Sequence, residues 1–273
     1  MEKSDSNDMR KLLMTAVTVA TMMGAAGCGG DGKEGAIDFE TVSTEKTVGI
    51  TAGQGAPQCK VQLQMAAAVE SQGERAKAVN EAIAERLLDM EATSIRTAAD
   101  SFANAYTESY RQNLAPLYRE DQGDPQKRAW YEYHYNVTGE TASGRRGVTV
   151  YKATVDYYEG GAHGVNQRIV MNFDNETGRL LTLADVFAPG YEQPLGELLL
   201  EKLLEKTDTK NVDELRERGF LYAMDMFPTE NFVLGKDDIT FIYNAYEIAP
   251  YDEGIIELTV DYGECKKILQ RTD

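Results

Sequence analysis

Histidine, and the residues that usually accompany it in catalytic and metal centres, are scarce in this chain. Its 273 residues include two histidines, three cysteines and one tryptophan. No serine stands in a Gly-x-Ser-x-Gly turn, no His-Glu-x-x-His helix occurs, and no glycine-rich phosphate loop lies between a strand and a helix. Because catalytic and metal sites need several converging groups, the common hydrolase, zinc and nucleotide-binding classes are disfavoured. We therefore expect no metal and no cofactor.

Positive charge is also in short supply. Lysine and arginine number 28 against 45 aspartates and glutamates, which gives a formal net charge of −17. A field of this sign repels phosphate backbones, so we exclude nucleic acid as a partner. The length, with a hydrophobic content of 42%, allows a sizeable core in one or two domains.

The N-terminal region has the pattern of an export signal. Met9-Arg10-Lys11 precedes an apolar run at residues 12–23, and Gly24-Ala25-Ala26-Gly27-Cys28 follows it. The run is too short for a spanning helix. Its end at Gly27-Cys28 is similar to a bacterial lipobox, so we predict a lipoprotein signal peptide at residues 1–27. Cys28 would then be acylated and anchor the protein in a lipid bilayer; an ordinary secretory signal beside a cysteine is the alternative. The acidic residues 1–8 are unlike such a signal and suggest that translation starts at Met9.

This signal predicts a membrane lipoprotein of the bacterial cell envelope, on a periplasmic or outer-surface face. Residues 28–45 begin with a glycine-rich polar stretch and are predicted to be a flexible tether. In an oxidising compartment the remaining cysteines can pair. We predict a disulfide between Cys59 and Cys265, with two buried free thiols as the alternative.

The apolar periodicity changes along the chain from two to about 3.6 and back. Val61, Leu63 and Met65 alternate with polar residues and predict a buried strand face. Two amphipathic helices follow at residues 76–90 and 95–117, and Pro116 should kink or end the second near Ala115. The Thr182–Asp185 spacing predicts a capping box and a short helix. Further helices are predicted at 195–206 and 212–218, and further strands at 131–138, 148–158, 167–173, 232–234, 239–243 and 256–262.

This order predicts the α+β class. We expect a largely antiparallel sheet with helices packed on it, arranged as two α/β portions of similar size in sequence. The first portion comprises residues 46–128 and the second residues 129–273.

The most specific stretch is residues 157–164, with the sequence Tyr-Tyr-Glu-Gly-Gly-Ala-His-Gly. Gly160 and Gly161 permit positive φ or close backbone approach, so the chain can turn sharply and hold His163 at the start of the next strand. His163 could be structural, could belong to a binding surface, could be a metal ligand, or could act as a general base oriented by Asp156 or Glu159. The structural role is favoured, because the other imidazole, His134, lies two elements earlier.

Four ordered motifs carry a resemblance to a known family. Residues 157–164 and 173–187 resemble the domain shared by the anti-sigma factor RsiV and the polysaccharide deacetylase PdaC, and so do two C-terminal segments, residues 232–243 and the Tyr-Glu-Ile-Ala-Pro-Tyr sequence at 246–251. The resemblance covers about residues 148–262, and residues 47–117 look like the family's N-terminal portion in pattern only. It implies an extracytoplasmic domain that binds lysozyme in RsiV and accompanies a separate deacetylase domain in PdaC.

From these observations we expect a binding or sensor domain without catalytic activity, which recognises a peptidoglycan glycan or a lysozyme-like protein. The alternative is an envelope polysaccharide hydrolase, or a deacetylase-associated enzyme, that uses His163. Rigid tyrosines suit recognition of sugars and proteins, although tyrosines buried across the sheet are an equally good interpretation. The residues expected to bind are Tyr157, Tyr158, Gly160, Gly161, His163, Tyr246 and Tyr251.

Overall fold

The computed structural model describes residues 35–121 and 124–270. The predicted signal peptide and Cys28 lie outside these residues. The described strands are β1 (Phe39–Gly49), β2 (Gln58–Ala68), β3 (Tyr133–Ser143), β4 (Val148–Tyr158), β5 (Val165–Asp174), β6 (Leu180–Leu181), β7 (Phe232–Leu234), β8 (Asp238–Tyr243) and β9 (Ile256–Asp261). The described α-helices are α1 (Glu74–Leu88), α2 (Ile95–Asp121), α3 (Leu183–Val186), α4 (Glu192–Thr207), α5 (Val212–Glu217) and α6 (Tyr262–Cys265).

The described elements form two sheets, and the predicted α+β class is confirmed. Strands β1 to β6 lie side by side in sequence order in one six-stranded sheet, and β7, β8 and β9 form a second sheet. All pairs are antiparallel except β2 with β3. Parallel neighbours need a long crossover, which α1 and α2 supply here.

The first hydrophobic core lies between α1, α2 and the six-stranded sheet. Val61, Leu63 and Met65 of β2 are buried in it, as the alternation predicts. The same core takes in Tyr151 and Phe173 from β4 and β5, on the far side of the predicted boundary at residue 128. The two portions follow one another in sequence, but the first sheet is continuous across that boundary.

The predicted tether is wrong for its last residues, because β1 already begins at Phe39. β1 is an edge strand, with only Val42 and Val48 buried along its length. Its remaining positions are polar or partly exposed, so the sequence pattern resembles that of a solvent-exposed linker. Backbone pairing with β2, together with the few core contacts of Phe39, Val42 and Val48, orders it.

Helix α2 continues through Pro116 to Asp121 and therefore does not end near Ala115. Asp121 holds the final turn, because its carboxylate accepts hydrogen bonds from the Tyr131 hydroxyl at 2.8 Å and from Lys127 Nζ at 2.6 Å. The bond from Lys127, followed by that from Tyr131, lowers the pKa of Asp121. Contacts from the following segment thus hold the last turn of α2, which lies beyond the proline.

The predicted Cys59–Cys265 disulfide is contradicted by the structure, in which both cysteines are free and buried. Cys59 belongs to the first core and Cys265 to the second, which is formed by α3–α6 and the three-stranded sheet. A disulfide needs Cα atoms within about 7 Å, and two thiols packed into different cores do not meet this condition. Burial raises the pKa of the Cys59 thiol to about 12, so it remains protonated.

Three buried asparagines join the two sheets. Asn231 Oδ1 accepts from the Val170 backbone at 2.8 Å, and its Nδ2 donates to the carbonyls of Arg168 and Ile242. Asn244 Oδ1 accepts from the Arg168 backbone at 2.7 Å. Asn172 exchanges two hydrogen bonds with β7, at Phe232 O and Leu234 N. The backbone of β5 at Arg168 and Val170 is thereby satisfied by the side chains of Asn231 and Asn244, which flank β7 and β8.

Candidate functional site

The glycine turn between β4 and β5 has the geometry that its sequence suggests. Gly160 and Gly161 have φ values of +81° and +93°. A Cβ on Gly160 would lie 2.8 Å from the carbonyl oxygen of Trp130, whereas a Cβ on Gly161 would meet open space. Gly160 is therefore needed for both conformation and close approach, and Gly161 for conformation alone.

The turn carries His163 to an exposed row of aromatic rings. The imidazole stacks on Tyr251 with ring centroids 5.0 Å apart, and Tyr251 lies 5.4 Å from the ring of Tyr246. The Tyr251 hydroxyl donates to Gly164 O at 3.1 Å, which fixes the row to the glycine turn. Tyr246 is 70% exposed and Tyr251 36% exposed. We call His163, Tyr251 and Tyr246 the aromatic ladder.

Tyr246 has a left-handed backbone conformation, with φ of +70°. This conformation costs a residue other than glycine about 1–2 kcal/mol. Neighbouring contacts impose it: the Glu247 backbone donates to Asn244 O at 3.1 Å, and the Asn244 backbone donates to Glu247 Oε2 at 3.0 Å. The combination of backbone strain and an exposed aromatic side chain makes Tyr246 a candidate functional residue.

The two carboxylates predicted to orient His163 have other partners. Asp156 Oδ2 lies 3.0 Å from His134 Nε2 and also accepts from Asn136 Nδ2 at 3.3 Å. Glu159 accepts from the Tyr106 hydroxyl at 2.7 Å. The structure thus brings Asp156 together with His134, and places His163 with tyrosines.

Tyr157 and Tyr158 shape the turn from its two sides. Tyr157 packs against the first core, with its ring 5.4 Å from that of Tyr135. The Tyr158 hydroxyl donates to Gly161 O at 2.8 Å, and its ring stacks over His134 at 6.3 Å. Of the residues expected to bind, the three of the aromatic ladder are therefore the ones that share an exposed surface.

A cavity beside the glycine turn is not predicted from the sequence. It measures about 240 Å³ and lies between α2, β3 and the end of β4. We call it the tyrosine cavity; its lining residues are Tyr106, Ser109, Tyr110, Asn113, Leu114, Tyr133 and Glu159. Helical spacing in α2 places five of these residues on one face. This spacing is the sequence pattern that could have indicated the cavity, but the buried face of any amphipathic helix has the same spacing.

His134 was also missed as a partner for Asp156. The register of the β3–β4 hairpin indicates this contact, because His134 is paired with Tyr158 and Asn136 with Asp156. Within residues 35–121 and 124–270, no group of three or more His, Cys, Asp or Glu side chains could hold a metal ion. Nor does any helix in these ranges have the length and apolar character needed to cross a membrane.

The fold and the ladder define an α+β protein with two sheets, in which the segments that follow β4 and β8 form an exposed aromatic surface. Residues 184–263 match DUF3298, a protein family of unknown function. The matched residues span most of the second core and include Tyr246 and Tyr251 of the ladder. His163 lies outside the matched residues. No curated protein matches the chain in sequence.

Two solved structures of DUF3298 proteins resemble the whole described fold. A family member from Bacteroides fragilis NCTC 9343 has a TM-score of 0.79 and 27% identity, over 87% of this chain and 95% of its own. A second, from Pseudomonas aeruginosa PAO1, has a TM-score of 0.58 and 19% identity, over 86% of this chain and 94% of its own. At the lower identity the likeness concerns the fold alone.

Proposed function

We propose that this protein is a non-catalytic binding domain that recognises a cell-wall glycan on the aromatic ladder. The observation that carries the proposal is the exposed stack of His163, Tyr251 and Tyr246. Aromatic rings offer a flat apolar face beside polar edges, which matches the apolar face and hydroxyl rim of a sugar ring. Because the Tyr251 hydroxyl is bonded to Gly164 O and the Tyr246 backbone is held by the contacts between Asn244 and Glu247, binding orders little additional backbone.

The ladder also supports kinship with the RsiV and PdaC domain. Two of the motifs that carry this resemblance, residues 157–164 and 246–251, are far apart in the sequence. The stack of His163 on Tyr251 joins them in one surface. A shared recognition surface would account for both motifs, whereas separate structural roles would not require them to meet.

Replacing Tyr251 by alanine should weaken glycan binding about tenfold or more, since an anchoring aromatic residue contributes more than 1 kcal/mol. Tyr246→Gly should weaken binding similarly while leaving stability equal or higher, because glycine relieves the left-handed strain at this position. Calorimetry of the full-length protein with soluble peptidoglycan fragments measures the affinity, and urea unfolding measures the stability.

Tyr222→Ala is the matched control, because Tyr222 is 83% exposed and outside the ladder. Its affinity should equal that of the wild type. Unchanged affinity in both ladder variants would refute the proposal. Mass spectrometry of the same mixtures tests the enzyme alternative: a new product that disappears in His163→Ala would replace binding by hydrolysis.

A lysozyme-like protein is the second candidate ligand. The observation that favours it is the net charge of −17, which complements a basic partner and accelerates association at low salt. Saturable binding of lysozyme that weakens with salt and is lost in Tyr251→Ala would support it. Salt-dependent binding that is insensitive to this variant would indicate nonspecific charge attraction instead.

We further propose that Cys28 is acylated and holds the domain at the bacterial envelope. The support is the signal-like sequence of residues 9–28. Metabolic labelling with an alkyne-bearing palmitate should mark the wild type and leave Cys28→Ser unlabelled and released from membranes. An unlabelled wild-type protein in the soluble fraction would show an ordinary secretory signal.

A further inference from the structure

The tyrosine cavity combines three aromatic walls with one carboxylate. The rings of Tyr110 and Tyr133 lie 5.2 Å apart and tilted by 52°. The Tyr110 hydroxyl donates to Tyr131 O at 2.8 Å, so this polar group is already satisfied. The aromatic rings supply apolar surface and π faces to the interior.

Glu159 is the one acidic or basic residue among the seven that line this cavity. Its Oε1 accepts from the Tyr106 hydroxyl at 2.7 Å. Burial, followed by the nearby Glu159 carboxylate, raises the pKa of Tyr106, so the hydroxyl stays protonated and continues to donate. The cavity therefore presents a negative charge beside π faces, which favours a cation.

The outer wall on α2 is polar. Asn113 Nδ2 donates to Ser109 Oγ at 3.0 Å, and both residues are exposed. This arrangement leaves the Asn113 side-chain oxygen and the Ser109 hydroxyl hydrogen to face ligand hydroxyl groups. A bare alkylammonium would not use these groups, whereas a sugar would.

We propose that the tyrosine cavity binds an amino sugar with a free amine, its ammonium group paired with Glu159 and its ring packed on the tyrosines. This inference rests on the proposed glycan recognition and names its sugar class. The volume of about 240 Å³ is below that of a drug-sized site and suits a single sugar ring. N-acetylation would remove the charge that the carboxylate recognises and add bulk.

The test uses the full-length protein and three monosaccharides: glucosamine, N-acetylglucosamine and glucose. Calorimetry measures the affinity for each sugar. We expect glucosamine to bind at least tenfold more tightly than the two neutral sugars. Glu159→Gln, which retains an oxygen to accept from Tyr106, should abolish this preference.

Glu201→Gln removes one negative charge from an exposed position on α4 and should keep the preference. Equal binding of the three sugars, no saturable glucosamine binding, or an unchanged preference in Glu159→Gln would overturn the inference. These outcomes are independent of the ladder experiment. Loss of oligosaccharide binding in Tyr251→Ala with no monosaccharide preference would leave the proposed function standing without the amino-sugar site.

Discussion

Replacing Asn231 by leucine should lower the free energy of unfolding by about 3–5 kcal/mol, a large share of the stability of a typical domain. Leucine has a similar volume, but it removes the side-chain partner of the Val170 N–H and of the Ile242 carbonyl. It also removes one of the two amide donors to the Arg168 carbonyl, which keeps Asn244 Nδ2 at 3.2 Å. A buried backbone group without a partner costs about 1–3 kcal/mol. Urea unfolding followed by circular dichroism measures the change.

Asn166→Leu provides the control for this experiment. Asn166 lies on β5, as do Arg168 and Val170, but its side chain is exposed. Its replacement should change stability by no more than about 0.5 kcal/mol. We call the contacts of Asn172, Asn231 and Asn244 between the sheets the asparagine bridge. If Asn231→Leu lost under about 1 kcal/mol, solvent would be satisfying these backbone groups and the asparagine bridge would not be what joins the sheets.

The asparagine bridge also has a consequence for binding. The ladder is assembled from the β4–β5 turn of the first sheet and the segment between β8 and β9 of the second. Asn231 and Asn244 fix the distance between these two parts through Arg168 and Val170. Weakening the bridge should therefore separate His163 from Tyr251 before either core unfolds.

The features that the sequence predicts correctly are local ones. Burial of Val61, Leu63 and Met65 follows from a period-two pattern, and the capping box of Thr182 and Asp185 follows from a spacing of three residues. Neither depends on the rest of the fold. The early start of β1 is not predicted, because this strand is ordered by pairing with β2, which is a contact between distant residues.

The candidate site depends on contacts between distant residues, and the sequence shows only its parts. Residues 157–164 and 246–251 were both recognised as motifs, but the hydrogen bond from Tyr251 to Gly164 joins positions 87 apart. No periodicity encodes such a contact. The disulfide prediction failed similarly, because counting cysteines does not reveal that Cys59 and Cys265 belong to separate cores.

The adjacent glycines of the turn allow the stability cost of an unfavourable φ to be measured separately from the cost of a steric clash. Gly161→Ala should cost about 1–2 kcal/mol of stability, because alanine disfavours φ of +93° but meets no neighbouring atom. Gly160→Ala should cost about 2–4 kcal/mol, because the same penalty is joined by contact of the new methyl group with the Trp130 carbonyl. Differential scanning calorimetry of the two variants measures this difference directly.

The same pair of variants tests the link between the turn and the ladder. Gly160→Ala forces the turn away from Trp130 and displaces Gly164, the acceptor of the Tyr251 hydroxyl, so glycan binding should fall more than tenfold. Gly161→Ala should retain most of the binding under conditions in which it is folded. Equal loss of binding in both variants would show that the backbone conformation of the turn, and not its approach to Trp130, positions His163 against Tyr251.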